Sequence, residues 1–194
     1  MAARRKQPEE ARAALLAAGE RLLALDGFDA VNSNQIARDA GVGIGTFYRH
    51  FEDKAALANA LMLQAWEELG ASMPGPEIHD PRQVAEAATR GVVEYATRHP
   101  DRFRVAFGST RRSNLALSVR PIERSLRQHA ERGGALAELE PRVAARAWWA
   151  MISSTLVWWL EERERPPEPV LVATLTQLHP LTAASPPRTP ADSK

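Results

Sequence analysis

The sequence of 194 residues contains no cysteine. The chain therefore has no disulfide framework, no thiolate metal ligand and no cysteine nucleophile. Its five histidines, at positions 50, 79, 99, 129 and 179, form no HxxxH or HxxE pair, so the spacing of a helical metal site is missing too. No glycine-rich phosphate loop follows a strand, and no Ser, His and acid can be assigned to a triad. We expect no enzymatic activity, no cofactor and no bound metal.

Long apolar segments are also missing. The longest uncharged apolar run, residues 147–160, is shorter than the roughly 20 residues that a helix needs to span a bilayer. The N-terminus lacks the apolar segment of a secretory signal. The sequence thus predicts a soluble protein located in the cytoplasm.

No charge of one sign dominates, since the formal net charge is only +1. Residues 1–70 carry 8 Lys or Arg and 10 Asp or Glu, which excludes a globally basic nucleic-acid module. Within them, the three cations at 4–6 precede the first acid, Glu9, as in an arm that lies along phosphates. Between residues 98 and 127 there are eight arginines and two acids. This excess fits a solvated helical surface, and also an anionic or acyl-type ligand.

The residues that are present favour helix throughout. Ala, Leu, Arg and Glu dominate and no segment keeps the two-residue period of a strand, so we predict an all-α fold. The predicted helices cover about residues 8–25, 33–40, 44–50, 54–70, 81–98, 100–107, 115–132, 140–164 and 168–179. We predict an N-terminal three-helix domain over 8–68, a C-terminal helical domain over 75–180 and a disordered, proline-rich tail over 181–194.

Two short helices joined by a glycine turn stand out in the first domain. Asn32 and Gln35 have the spacing of a capping box at the start of the first, and Gly41-Val42-Gly43 separates it from the second. In the second helix, Phe47 points to one side while Arg49 points roughly opposite. This pattern predicts a helix-turn-helix, whose second helix enters the major groove of DNA.

The segment IARDAGVGIGTFYRHFEDKAAL, residues 36–57, resembles the DNA-binding domain of the TetR family of transcriptional regulators. The likeness extends upstream to Gly27-Phe28 and covers about residues 8–68. It implies two sets of DNA-binding residues, near base edges and near phosphates. The first set comprises Asn34, Ile44, Gly45, Tyr48 and Arg49; the second comprises Asn32, Ser33, Thr46, Tyr48, His50 and Lys54.

Three positions depart from the family pattern. Gly43 stands where a serine-like cap is usual, Ile44 where a polar or basic residue is frequent, and Asn34 where arginine is frequent. Ile44 cannot donate a hydrogen bond, so any base contact that it makes is apolar. These departures leave an alternative open, in which the chain is a helical protein-interaction module with a vestigial DNA-binding head.

The tryptophan-rich segment near residues 147–160 predicts a dimer interface. Trp148 and Trp159 share one face of a helix, whereas Trp149 and Trp158 project to opposite sides. A helix that is apolar all round needs partners on every side, and a second copy of the chain can supply one of them. The predicted interface residues are Trp149, Trp158, Leu171 and Leu175. Such a dimer would present two recognition helices about 34 Å apart to a palindrome.

The resemblance further implies a small-molecule pocket in the second domain. The candidate lining residues are Phe103, Phe107, Trp148, Met151 and Thr155, each of which also fits an ordinary core. The function that the resemblance implies is a ligand-responsive repressor, which binds a palindromic double-stranded DNA operator as a homodimer and answers to a small-molecule effector.

Overall fold

The computed structural model describes residues 8–71, 73, 80–108, 112–131 and 139–183. Within these ranges the regular structure is entirely helical, which confirms the all-α prediction. The helices are α1 (Pro8–Asp26), α2 (Ser33–Asp39), α3 (Ile44–His50), α4 (Lys54–Ala71), α5 (Pro81–Arg98), α6 (Pro100–Phe107), α7 (Arg112–Glu131), α8 (Pro141–Glu161), α9 (Glu168–Gln177) and α10 (Pro180–Ala183). Among the described helices none is long and apolar enough to cross a membrane.

Local signals in the sequence set the helix boundaries of the N-terminal part. Gly27 follows α1 with a φ of +79°, a left-handed conformation that glycine adopts without a Cβ penalty. The predicted capping box is present, because Asn32 Oδ1 accepts from Gln35 N at 3.0 Å and Gln35 Oε1 accepts from Asn32 N at 2.8 Å. Asp53 Oδ1 accepts from Ala56 N at 2.7 Å and caps α4.

The C-terminal helices differ from the prediction in several places. Helix α7 begins at Arg112 and accommodates Pro121 in its interior. Helix α8 ends at Glu161, ahead of Pro166 and Pro167, and Trp159 Nε1 donates to the carbonyl of Pro166 at 2.7 Å. The predicted tail from residue 181 is wrong for its first three residues, since they belong to α10 and Leu181 is buried. Residues 184–194 lie outside the described part of the chain.

The chain divides into two compact units. Unit 1 consists of residues up to Glu68 together with His99–Thr110, and unit 2 of Leu69–Arg98 together with the residues from Arg111 onward. The domain boundary predicted from the sequence places residues 99–110 in the C-terminal domain, whereas in the structure they belong with the N-terminal one. The physical reason is that α6, which they contain, packs along α1.

An ion-pair bridge and an aromatic cluster hold α6 in unit 1. Arg102 donates through Nε to Glu20 Oε2 at 2.9 Å and through Nη1 to Glu68 Oε1 at 2.6 Å. Burial alone lowers the pKa of Arg102, but the two carboxylates outweigh it and raise that pKa overall. Phe107 packs edge-on against Phe103 at 5.1 Å and against Trp66 at 5.2 Å.

The core of unit 1 forms where α1 to α4 converge. Leu15, Ile36, Phe47 and Leu57 are all fully buried there. A Cβ added to Gly19 of α1 would overlap with Cδ2 of Leu57. Because Leu57 is itself enclosed, a larger residue at 19 would have to displace packed neighbours.

Unit 2 encloses the tryptophan-rich helix and a buried histidine. Trp148 and Trp149 of α8 are buried, and His179, between α9 and α10, packs edge-on against Trp148 at 4.5 Å. The Nδ1 of His179 accepts from Leu181 N at 3.1 Å, which requires the neutral ring with its proton on Nε2. Burial, and secondarily the charge of His129, lower the pKa of His179 to about 4.

The neutral His179 makes stability depend on pH. Between pH 6.5, the ordinary histidine pKa, and about 4, the unfolded chain binds a proton that the folded chain does not. The contribution of His179 is therefore intact above pH 6.5 and is lost as the pH falls towards 4, by about 3 kcal/mol in all. Urea titrations of the wild type and of His179→Gln, over pH 3.5 to 7.5, should show a stability difference that changes across this window. A stability difference between the two proteins that stays constant from pH 3.5 to 7.5 would contradict this account.

Candidate functional site

Helices α2 and α3 are joined by a tight turn over residues 40–43. Val42 N donates to Ala37 O at 3.0 Å and closes the end of α2. Gly41 has a φ of +66°, which residues with a Cβ rarely adopt, so the reversal of the chain depends on glycine there. Thr46 N then donates to Gly43 O at 2.8 Å and starts α3.

The orientation of α3 is set by two phenylalanines. Phe47 is completely buried and Phe51 nearly so, both in the core of unit 1. Their ring centroids lie 5.9 Å apart, and the edge of Tyr48 meets Phe47 at 5.5 Å. With this side of α3 anchored in the core, the opposite side faces solvent.

The solvent side of α3 carries four of the predicted DNA-binding residues. Around the helix axis they follow in the order Ile44, Tyr48, Gly45, Arg49, which at about 100° per residue makes one continuous arc. Ile44 is 36% and Tyr48 57% exposed, and Gly45 and Arg49 are exposed as well. Thr46 is half-buried beside them, with its Oγ1 3.4 Å from Arg49 Nη2. The structure therefore brings these predicted residues onto a single surface, which we call the α3 face.

The fold of unit 1 does not itself explain the two glycines at this end of α3. A Cβ built on either Gly43 or Gly45 would have no heavy atom within 4 Å. Neither residue has a positive φ, so an alanine would fit the backbone at both positions. Glycine inside a helix is about 0.5 to 1 kcal/mol less favourable than alanine, so Gly45 weakens α3 without any packing benefit inside the unit.

The predicted residues of α2 lie in its first turn and before it. Asn34 is exposed and Ser33 is half-buried. The side-chain oxygen of Asn32 is already committed to the capping box. Of the polar side chains predicted from α2, Asn34 is thus the one that faces solvent most freely in the described structure.

Lys54 has an internal role that reasoning from the sequence missed. Its Nζ donates to the carbonyl oxygens of Phe28 and Val31 and lies 4.2 Å from the centre of the Phe28 ring. The lysine therefore fastens the loop between α1 and α2 to the start of α4. A cation at the start of a helix is unfavourably placed in the helix dipole, and from the sequence alone this favours a phosphate as the partner of Lys54. The two backbone carbonyls account for the position of the lysine equally well.

His50 is placed differently from the α3 face. It is half-buried, and its Nε2 is enclosed with no hydrogen-bond partner among the described residues. A phosphate contact through this nitrogen would require the ring to turn.

The candidate pocket residues divide between the two units. Phe103 and Phe107 belong to unit 1, where they pack in the aromatic cluster of α6. Trp148, Met151 and Thr155 belong to α8 of unit 2, where Trp148 is buried and the other two are half-buried. Only the second group can line a pocket within unit 2.

The candidate interface residues differ in how deeply they are buried. Trp149, Leu171 and Leu175 are buried inside unit 2 of a single chain, whereas Trp158 is 49% exposed. On α9 and directly after it, the large exposed apolar side chains are Val170 and Leu178, each 53% exposed. Neither was predicted from the sequence, although their eight-residue spacing places them on similar sides of a helix.

A cleft of about 740 Å³ lies within unit 1, between α1, α4 and α6. Its charged lining consists of Glu9, Arg12, Glu20, Arg21, Asp101 and Arg102. Acids and arginines balance there, so the cleft does not select for one charge. In the described part of the chain no group of three or more His, Asp or Glu side chains is placed to hold a metal ion.

The helix-turn-helix region matches a known family. Residues 15–61 match the family described as bacterial regulatory proteins, tetR family. An HTH-type transcriptional regulator of Staphylococcus aureus (strain USA300) is 38% identical over 53 residues. The aligned stretch is 27% of this chain and 29% of the relative, so the chain spans less than a third of the curated relatives that it matches.

Solved structures share the fold over most of the chain. A putative tetR family transcription regulator from Shewanella sp. PV-4 superposes with a TM-score of 0.72 at 21% identity, over 87% of this chain and 95% of that one. The crystal structure of AibR in complex with isovaleryl coenzyme A and operator DNA gives a TM-score of 0.64 at 17% identity, over 88% and 98% of the two chains. At these identities the likeness establishes a common fold.

The internal role of Lys54 can be separated from surface roles by stability measurements. Lys54→Met should lower the free energy of unfolding by about 1 to 3 kcal/mol, because two carbonyls lose their donor. The matched variant Arg49→Met removes a cation from the exposed α3 face and should change it by less than about 0.5 kcal/mol. Chemical denaturation followed by circular dichroism measures both. Equal effects of the two variants would show that the Lys54 contacts do not stabilise the fold.

Proposed function

We propose that this chain, whose residues 15–61 match the tetR family of bacterial regulatory proteins, is a cytoplasmic transcriptional regulator of that family that binds double-stranded DNA through α2 and α3. The observation that carries this proposal is the α3 face. A helix anchored by Phe47 presents Tyr48 and Arg49 to solvent on one continuous surface. The major groove, about 12 Å wide, accepts one such helix.

The side chains around the α3 face suit the two kinds of DNA contact. Arg49 can form a bidentate pair with guanine or bond a phosphate oxygen. Tyr48, Thr46, Ser33 and Asn34 carry hydroxyl or amide groups that donate to phosphates. The cationic segment at residues 4–6 lies outside the described residues, and its contact with phosphates remains part of this proposal.

We further propose that the regulator is a homodimer built on α8 and α9. Trp158, Val170 and Leu178 are large apolar side chains exposed on a single chain. Three exposed residues of α8 that precede Trp158 are small and uncharged, namely Ala147, Ala150 and Ser154. A second copy would remove these groups from water and place two α3 faces on the two halves of a palindromic operator.

An effector site in unit 2 completes the proposal. Thr89, Thr176 and His129 each have a buried polar side-chain atom with no hydrogen-bond partner among the described residues. A buried polar atom without a partner is costly, and a polar ligand could supply the missing bonds. AibR was solved with isovaleryl coenzyme A, and an acyl-type effector would likewise suit the apolar Trp148 and Met151 here. We propose that this effector releases DNA, so that the protein acts as a repressor.

DNA binding is testable by anisotropy titration with a labelled duplex from upstream of the gene. Arg49→Ala should weaken binding about 5- to 150-fold, since a good base or phosphate pair contributes about 1 to 3 kcal/mol. Arg142→Ala, which changes an exposed arginine of α8, is the matched control and should bind like the wild type.

The wild-type affinity should also fall steeply when salt rises from about 50 to about 200 mM, because bound cations release counterions from DNA. Binding that is indifferent to salt and to Arg49 would favour the interaction module with a vestigial head.

The dimer interface is testable by analytical ultracentrifugation. Trp158→Ser should raise the dimer dissociation constant at least about tenfold, because each dimer would lose two large apolar contacts. Leu25→Ser changes a side chain of α1 that is 74% exposed in unit 1 and serves as the control. A Trp158→Ser protein that dimerises as tightly as the control would place the interface elsewhere.

A further inference from the structure

The α3 face contains an apolar patch formed by Ile44, Gly45 and Tyr48. Ile44 and Tyr48 are four residues apart and therefore neighbours on the helix surface, and Gly45 lies beside them without a side chain. Both large side chains are exposed although α3 has only seven residues. An exposed apolar pair on so short a helix indicates a surface that a binding partner covers.

No hydrogen-bonding side chain occurs at the start of the helix near this patch. Gly43, at the cap of α3, makes no side-chain hydrogen bond, and Ile44 and Gly45 have no polar side-chain atoms. The open space at Gly45 is not used by any described group of unit 1. The side chains at this part of the α3 face can therefore recognise a partner only by shape and apolar contact.

The surroundings of the patch indicate duplex DNA as the occupant. Arg49 adjoins it on α3. Arg38 of α2 is also exposed, and the carboxylate of Asp39, the next residue in the sequence, is paired with Arg21. Cations around an apolar centre complement a major groove, whose rim carries phosphates and whose floor carries base edges. On those edges the C5-methyl group of thymine is the apolar feature.

We propose that Ile44 and the open space at Gly45 read a C5-methyl group of a pyrimidine in each operator half-site. The inference rests on the proposed function and adds the chemistry of its specificity. At this position the regulator distinguishes bases by a methyl group and not by a hydrogen bond. Uracil in place of thymine should then be a poorer partner, and 5-methylcytosine a better one than cytosine.

The test begins with duplexes selected from a randomised library by binding to the purified full-length protein. Each thymine of an enriched duplex is replaced singly by uracil, which removes only the methyl group. We expect one position in each half-site at which this replacement weakens wild-type binding about three- to fivefold, the effect of burying one methyl group. At that position, 5-methylcytosine paired with guanine should bind more tightly than cytosine paired with guanine.

Protein variants assign the effect to Ile44. Ile44→Ala should bind the thymine and uracil duplexes equally, whereas Ile44→Val, which keeps a branched apolar side chain, should retain most of the difference. Leu25→Ala is the matched control, since it shortens an exposed apolar side chain of α1, and it should keep the full difference. Thermal melting of each variant establishes that it is folded.

The outcomes separate the inference from the function on which it rests. If duplexes are enriched but no uracil replacement matters, or if the sensitivity survives in Ile44→Ala, the inference is overturned while DNA binding stands. If no duplex is enriched by the folded wild-type protein, the proposed function fails and the inference with it.

Discussion

The burial of Phe47 is the constraint on which the candidate site depends. A phenylalanine at the centre of a seven-residue helix can be enclosed only if that side of the helix packs inward, and this fixes what the remaining positions face. The left-handed Gly41 allows the chain to turn after α2, so that α3 packs on the core. Ile44, Tyr48 and Arg49 are therefore exposed as a consequence of the core and need no partner of their own to hold them there.

Two helical glycines of unit 1 have opposite explanations. Gly19 is required by the fold, because Leu57 occupies the space that a side chain would take. Gly45 is not required by the fold, because its surroundings are empty and its backbone is ordinary. A glycine that weakens a helix without a packing reason is best understood through an external surface, and under the proposed function that surface is the floor of the major groove. The sequence alone cannot distinguish the two cases.

Features that depend on near neighbours in sequence were predictable, and those that depend on distant residues were not. The capping box of Asn32 and the outward side of α3 follow from spacings of three and four residues. Lys54, in contrast, binds carbonyls 23 and 26 residues before it, a partnership that no local pattern indicates. Arg102 reaches Glu20 across 82 residues, so the grouping of α6 with unit 1 is likewise a tertiary result. The difference in burial between Trp149 and Trp158 was not predictable either, because both lie in similar apolar stretches of the sequence.

The Arg102 bridge joins three helices of unit 1. Arg102 of α6 donates to Glu20 of α1 and to Glu68 near the end of α4. Because all three side chains are only partly exposed, solvent screens these charged hydrogen bonds less than it screens a fully exposed ion pair. The bridge therefore helps to fix α6, which has only eight residues, against α1 and α4.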